Sequence, residues 1–181
     1  QMEILDEEFA RMYDHSPIHH IEYRIKSLDS IVDKLKRRGY EITIDNIYAH
    51  IQDLAGIRVI CNYLDDIYYL RSLLTRFDAF KVIREVDYIK NPKPSGYRSL
   101  HLVVNVPIVI SEGTMVLPVE IQLRTIAMDM WASLEHELRY KSDRQFTDED
   151  APRLRLCSDA ISEIDQEMQD IYQDKQPRYQ A

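Results

Sequence analysis

Apolar positions in this chain return in two rhythms, a helical one near every third or fourth residue and a strand-like alternation, and together they predict its elements. Ser16-Pro17 offers a capping hydroxyl followed by a first-turn proline; Ile21, Ile25, Leu28, Val32 and Leu35 then recur at helical spacing until Gly39, which predicts one long helix. A short helix fits Ile44 to Gln52, and the apolar, β-branched run Leu54 to Asn62 reads as a buried strand. Asp65 to Phe77 is helical, with Ile67, Leu70, Leu73 and Leu74 on one side. Phe80 to Tyr88 alternates like a half-buried strand, and residues 90–97 hold two prolines and a glycine, which predicts a loop. Strands follow at Ser99 to Val106 and Met115 to Leu123, joined by a turn around Ser111-Glu112-Gly113. Thr125 to Tyr140 is predicted as a helix with Ile126, Met130, Leu134 and Leu138 facing inward, and an acidic amphipathic helix runs from about Asp148 to Tyr172.

That order predicts an α+β fold: a mixed β-sheet of about four or five strands flanked by helices. The 181 residues suit a single domain, with a core over about 15–141 and the acidic helix appended. The chain opens on Gln1 rather than Met, which reads as a trimmed chain. No run is long enough to span a bilayer and no basic-then-apolar leader is present, so no membrane partner is expected. Cys61 and Cys157 are far apart without CxxC spacing; two inert thiols in a reducing, cytoplasmic setting are expected.

Charge sharpens this picture. The net charge is −8, which argues against DNA and gives no indication of RNA. Residues 143–175 carry ten acids against four bases and residues 1–14 five against one, whereas Arg24 to Arg38 holds six bases against two acids. A compact basic spot in an acidic chain suits a small anionic ligand. The acidic terminal helices are candidates for self-association.

Four segments carry candidate chemistry. Moving a phosphoryl or pyrophosphoryl group demands cations around phosphates, carboxylates for magnesium and a group that positions the attacking hydroxyl. Arg24-Ile25-Lys26-Ser27, extended by Ser30, Lys34 and Arg37, supplies cations; on a helix Lys26, Ser30, Asp33 and Arg37 share one stripe, and Arg24 could lie on a purine or fork to a phosphate. A solvated basic helix face is the bland alternative. In Gln52 to Arg58, Asp53 stands where a helix closes and an apolar strand opens, Gly56 permits close approach, and Arg58 sits mid-strand among apolar neighbours, where it needs a partner; taken alone, Asp53 reads as a helix-end or turn residue. The stiff loop Tyr88 to His101 presents Tyr97 beside Lys93, Arg98 and His101, a stacking platform flanked by phosphate-binding groups; Tyr97 dropping into the core is the alternative. Glu120, Gln122 and Arg124 alternate with apolar residues, so an acid, an amide and a cation share one strand face like an active-site wall; the solubility of an edge strand is the alternative. His15 and His19 stand one helical turn apart and His20 follows; that spacing suits zinc, although surface histidines beside Pro17 explain it as well.

Taken in order, R-x-K-S, Asp-Leu-Ala-Gly-Ile-Arg, Pro-Lys-x-x-Gly-Tyr-Arg-Ser-Leu-His and Glu-Ile-Gln-Leu-Arg-Thr, running on into Met128-Asp129-Met130-Trp131-Ala132 and Glu135-His136, resemble the synthetase domain of the RelA/SpoT superfamily, specifically its small single-domain alarmone synthetases. The likeness extends from His15 to about Lys141. It implies a nucleotidyltransferase-like fold, ATP and GDP or GTP as substrates, Mg2+ as cofactor, and the stringent-response alarmones ppGpp or pppGpp as products. It places Arg24, Lys26, Ser30, Lys34 and Arg58 at the ATP site, with the two arginines on adenine. Asp53 and Glu120 fall on the magnesium ligand and the catalytic glutamate. Lys93, Tyr97, His101 and Gln122 fall on the guanosine nucleotide site, and Asp129 stands where some relatives read guanine with asparagine. A homotetramer is implied too, and no hydrolase domain or HD metal motif is expected. Two other readings stay open at this point: a same-fold enzyme that pyrophosphorylates tRNA 3′ ends, which would want an extended basic track, and a non-catalytic guanine-nucleotide or RNA-binding regulator, which would have little use for two metal-ready acids.

Overall fold

A computed structural model describes residues 7, 9, 16–51, 54–76, 81–111, 113–140 and 146–175. Five strands form one mixed sheet: β1 (Ile18–Ile25), β2 (Ala55–Cys61), β3 (Lys81–Asp87), β4 (Leu100–Ile110) and β5 (Gly113–Thr125). Their spatial order is β1-β2-β5-β4-β3, with β2 and β5 parallel and every other pair antiparallel. The helices are α1 (Leu28–Arg37), α2 (Ile44–His50), α3 (Leu64–Arg76), α4 (Ile126–Tyr140) and α5 (Asp150–Lys175). The α+β expectation holds, with five strands. Among the described residues no helix is long and apolar enough to cross a membrane.

Alternation along the three central strands builds the core. Val59 and Cys61 of β2, Leu100, Leu102 and Val104 of β4, and Val119, Ile121 and Leu123 of β5 bury one face of the sheet against Ile67, Leu70 and Leu74 of α3 and Met128 of α4. A fully buried aliphatic side chain contributes about 1.5–3 kcal/mol, so this layer outweighs any surface contact. Burial raises the pKa of the Cys61 thiol far above its ordinary value, so it packs as an inert apolar group; Cys157 is exposed, and both cysteines are free. A satellite cluster of Ile31, Leu35 and Ile51 joins α1 to α2.

Two expectations are corrected. Residues 18–25 form an edge strand rather than the first half of a helix, paired with β2 from Ile18↔Cys61 to Ile25↔Ala55. The helix begins only after Ser27, whose hydroxyl accepts from the Ser30 amide at 3.3 Å, and Gly39 follows its end with φ +75°. Two of the supposed core positions, Ile25 and Leu28, are 85% and 76% exposed. The backbone groups of β2 needed a partner on that side, and β1 satisfies them. Arg24 is therefore a strand residue, and the helical spacing of His15 and His19 does not apply: His19 and His20 lie on β1, and His15 lies outside the described residues.

The second correction concerns α4. Ile126, Met130, Leu134 and Leu138 are 46–53% exposed, and the buried side is Met128, Trp131 and Ala132. That side meets α5, where the Trp131 indole donates to the Leu154 carbonyl at 2.9 Å. At the junction with β5 the Thr125 hydroxyl accepts from the Met128 amide and donates to Asp165 of α5 at 2.6 Å.

Burial raises the Asp165 pKa from 3.8, partly offset by the Thr125 hydrogen bond. The native state then binds more protons than the unfolded chain above pH 3.8, so this group's contribution to stability falls as pH rises through the window up to its raised value. Asp165→Asn keeps an acceptor for Thr125 and removes that loss. In urea unfolding the variant is expected to exceed the parent at neutral pH, with the gap closing on acidification. Gly96 gives a second test: its φ is +97°, and a Cβ there would stand 2.7 Å from the Ser158 Cβ of α5. Gly96→Ala is expected to cost about 1–3 kcal/mol, read as a lowered urea midpoint.

Candidate active site

Paired residues on neighbouring strands share a face of the sheet, so the register itself lays out the polar face. One row runs Arg24, Gly56, Glu120; the next runs Glu22, Arg58, Gln122, His101; a third runs His20, Ile60, Arg124. Gly56 leaves a gap between Arg24 and Glu120. A Cβ there would meet only backbone oxygens at 3.8 Å, so space rather than sterics is what the glycine supplies. Over this gap lies a cleft of about 350 Å³, walled by Glu22, Tyr23, Arg24, Lys26, Ile57, Arg58, Glu120 and Gln122. Lys26 is shared with an adjoining open depression that also takes in Ser30, Asp33 and Arg37, which share the stripe expected from sequence, and Lys36, which was not expected there. Ser30 contacts the Ser27 hydroxyl at 2.9 Å. Lys34 lies on α1 but lines neither hollow.

Arg58 finds its partners on both sides. Its Nη1 donates to Glu22 Oε2 at 2.8 Å and lies 3.5 Å from Asp129 Oδ1 in the first turn of α4. The same Asp129 oxygen accepts from Arg124 Nη1 at 3.0 Å, so this carboxylate joins two arginines. Arg124 Nη2 donates to Gln122 Oε1 at 2.9 Å and to Tyr97 Oη at 2.7 Å. Gln122 Nε2 donates to Glu120 Oε2 at 2.9 Å, and His101 Nδ1 lies 3.2 Å from Glu120 Oε1. Tyr97 Oη and His101 Nε2, 2.8 Å apart, close the ring of contacts. The Tyr97 ring is part-buried, but among polar groups: Lys93 Nζ lies 4.7 Å from its centroid, the Arg124 guanidinium 5.1 Å, and the His101 and Tyr88 rings meet it edge-on.

The loop carrying Tyr97 is latched to α5. Ser158 donates its hydroxyl proton to the Gly96 carbonyl, and Arg155 donates to the Lys93 carbonyl at 3.3 Å. Arg98 reaches Asp159 at 3.1 Å, and hydrogen bonds from Arg155 and then Arg98 hold the Asp159 carboxyl below its ordinary pKa.

Two groups of expected residues thus flank one strand. Arg24, Lys26 and Arg58 meet on the β1–β2 side with Ser30 nearby; Lys93, Tyr97 and His101 cluster on the β4 side; Glu120 and Gln122 stand on the boundary. Asp53 lies outside the described residues, and among those described no group of three metal-ready side chains occurs. Glu22, Tyr88 and the α5 latch were not anticipated. Glu22 had a signal, a charge two residues before Arg24 on an alternating segment, which is visible only when that segment is read as a strand. Arg124 was read as part of the wall without a role of its own.

The chain is similar in sequence and fold to known proteins. GTP pyrophosphokinase YwaC of Bacillus subtilis is 41% identical over 169 residues, 91% of this chain and 79% of that protein. GTP pyrophosphokinase YjbM of the same organism is 40% identical over 158 residues, 87% of this chain and 74% of that one. The structure of B. subtilis small alarmone synthetase 1 bound to its product pppGpp superposes with a TM-score of 0.88 at 37% identity, over 97% of this chain and 89% of that one. The same enzyme bound to AMPCPP gives 0.80 at 32% identity, over 97% and 88%. A family model described as "Region found in RelA / SpoT proteins" matches residues 23–145. With that match spanning more than half of its length, the chain belongs to the RelA/SpoT family.

Proposed function

We propose that this chain is a GTP diphosphokinase, moving the pyrophosphate of ATP to the 3′-hydroxyl of GDP or GTP and releasing AMP, with ppGpp or pppGpp as product in the stringent response. The observation that carries this reading is the position of Glu120. It borders a cationic cleft on one side and touches, through His101, an aromatic and cationic platform on the other. A transfer between two nucleotides needs a proton acceptor between two such sites.

In this reading Arg24 and Arg58 flank the adenine while Lys26, Ser30 and Lys34 meet the ATP phosphates. Tyr97 stacks on guanine, and Lys93, His101 and Gln122 hold the guanosine nucleotide. Asp129, engaged by Arg58 and Arg124, orients those two arginines as well as facing the guanine side. Glu120 takes the 3′-hydroxyl proton as that oxygen bonds to the β-phosphorus; the bond from β-phosphorus to the α-bridging oxygen breaks, and AMP departs with that oxygen. Cations on both flanks stabilise the spreading negative charge. Glu120 and Asp53 would hold Mg2+. Hard carboxylate oxygens suit that ion, and Glu120 faces the cleft. When bound, it would neutralise negative charge on the ATP phosphates. A cytoplasmic location follows from the two free thiols and the soluble substrates.

The assembly proposed is a homotetramer. Ile126, Met130, Leu134 and Leu138 stand at successive helical turns on the exposed side of α4, and Leu156, Ile164, Met168 and Ile171 are exposed on α5. Aliphatic side chains so aligned are what an interface between copies buries. Light scattering should return the mass of four chains, and Leu134→Glu with Leu138→Glu should give a smaller, folded species; a monomer in the parent would refute the tetramer.

The chemistry is tested at Glu120. Glu120→Gln should lower product formation by about 10²–10⁴-fold while ATP and GDP still bind within a few-fold in titration calorimetry. Turnover within about tenfold of the parent would remove Glu120 from the catalytic role.

A further inference from the structure

The donor and acceptor chemistry of the network has a single consistent direction. A guanidinium only donates, and a carboxylate only accepts. Arg124 Nη2 therefore gives protons to both Tyr97 Oη and Gln122 Oε1. With Gln122 Oε1 so engaged, its amide nitrogen faces Glu120 Oε2 and donates there. On the other branch, the Glu120 carboxylate can only accept, so a neutral His101 carries its proton at Nδ1, the nitrogen 3.2 Å from Oε1, and leaves Nε2 as an acceptor. Nε2 then accepts from the Tyr97 hydroxyl, whose oxygen in turn accepts from Arg124. Two chains leave one guanidinium and end on the two oxygens of one carboxylate.

We propose that Arg124 is the positioning residue of this active site: it orients the Tyr97 hydroxyl toward His101 and fixes the amide orientation of Gln122, and so aims Glu120 while holding the Tyr97 platform. The inference rests on the reading of Glu120 as proton acceptor given above and adds the residue that orients it. Stability does not explain Arg124. Its side chain is 6% exposed, yet its Nε has no hydrogen-bond partner among the described residues. Leaving a buried donor unsatisfied is costly, whereas an apolar side chain at the end of β5 would carry no such penalty. The arrangement also couples the two sides of the site. Arg124 Nη1 holds Asp129, which in turn faces Arg58 on the cleft side. One side chain thereby fixes the relative placement of the guanine platform, the proton acceptor and a cleft arginine.

The test combines histidine 15N NMR with kinetics on the full chain. In the parent protein, with the ring neutral, His101 (assigned by loss of its signals in His101→Gln) should show the Nδ1–H pattern, the minor form of free imidazole. In Arg124→Met the Tyr97 hydroxyl loses the donor that aims it, so the His101 Nε2 signal should shift, with KM for GDP raised and kcat lowered, each by about tenfold or more, and KM for ATP raised less, since Arg58 keeps its hydrogen bond to Glu22. Arg124→Lys should recover part of the loss, since an ammonium reaches one branch but cannot fork to both. Should Arg124→Met fail to fold, Tyr97→Phe decides. It keeps the ring and removes the hydroxyl, so it should shift the His101 Nε2 signal by removing its hydrogen bond and lower kcat more than it raises KM for GDP. An Nε2–H pattern in the parent would overturn the proposal, as would a folded Arg124→Met with wild-type kinetics, or one in which both KM values rise equally with kcat intact. Glu120→Gln is measured alongside. If it stays active, the reading of Glu120 is what fails; if it is dead while Arg124→Met behaves as the parent, the positioning role alone fails.

Discussion

The parallel pairing of β2 with β5, in the register that sets Gly56 opposite Glu120, is the constraint on which the site depends. These strands are separated by two others and a helix in sequence, and only their pairing brings a cation-bearing strand beside the strand that carries the acid. A slip of one residue would turn Glu120, Gln122 and Arg124 to the apolar face. Val119, Ile121 and Leu123 prevent that slip, since exposing three buried aliphatic side chains would cost on the order of 5 kcal/mol or more. Core packing thus enforces the geometry of the polar face, and the site inherits the rigidity of a central strand.

Around that strand the molecule holds its parts with unequal firmness. The polar face is tied by charge-assisted hydrogen bonds from Arg124 to Asp129 and from Arg58 to Glu22, which are stronger and more directional than neutral ones, and by the ion pair of Arg58 with Asp129. The loop that presents Tyr97 is short of regular structure and relies on α5 through Ser158, Arg155 and Asp159. Helix α5 therefore holds the Tyr97 loop in place without lining the cleft. The β1–β2 side, by contrast, is an open hollow with exposed cations, suited to a ligand that supplies its own compensating charge.

Much of this could be read from residue order. Strands β2, β4 and β5 and helices α3 and α5 announce themselves because burial on one face forces a clear period. The error at β1 has a physical cause: Ile21, Ile25 and Leu28 happen to fit a helix, while the alternation of His20, Glu22 and Arg24 fits a strand equally well, and an edge strand has only one neighbour to declare it. At α4 the periodicity of Ile126, Met130, Leu134 and Leu138 reveals an apolar stripe but not what covers it. Within the site, the wall of Glu120, Gln122 and Arg124 was legible from alternation. The partners of Arg58 and the forked role of Arg124 were not, since both are set by pairing across strands far apart in the chain. Asp53 lies outside the described residues, and its part in holding a metal rests on family resemblance alone.

The central claim is that two nucleotides meet across Glu120 and exchange pyrophosphate. Phosphorus-31 NMR of a mixture of ATP, GDP, magnesium and the protein reads it directly. The account predicts that the ATP signals give way to AMP and to a new diphosphate on the guanosine 3′-oxygen, in equal amounts. Persistence of both nucleotides, or conversion of ATP to ADP and phosphate with GDP untouched, would contradict it.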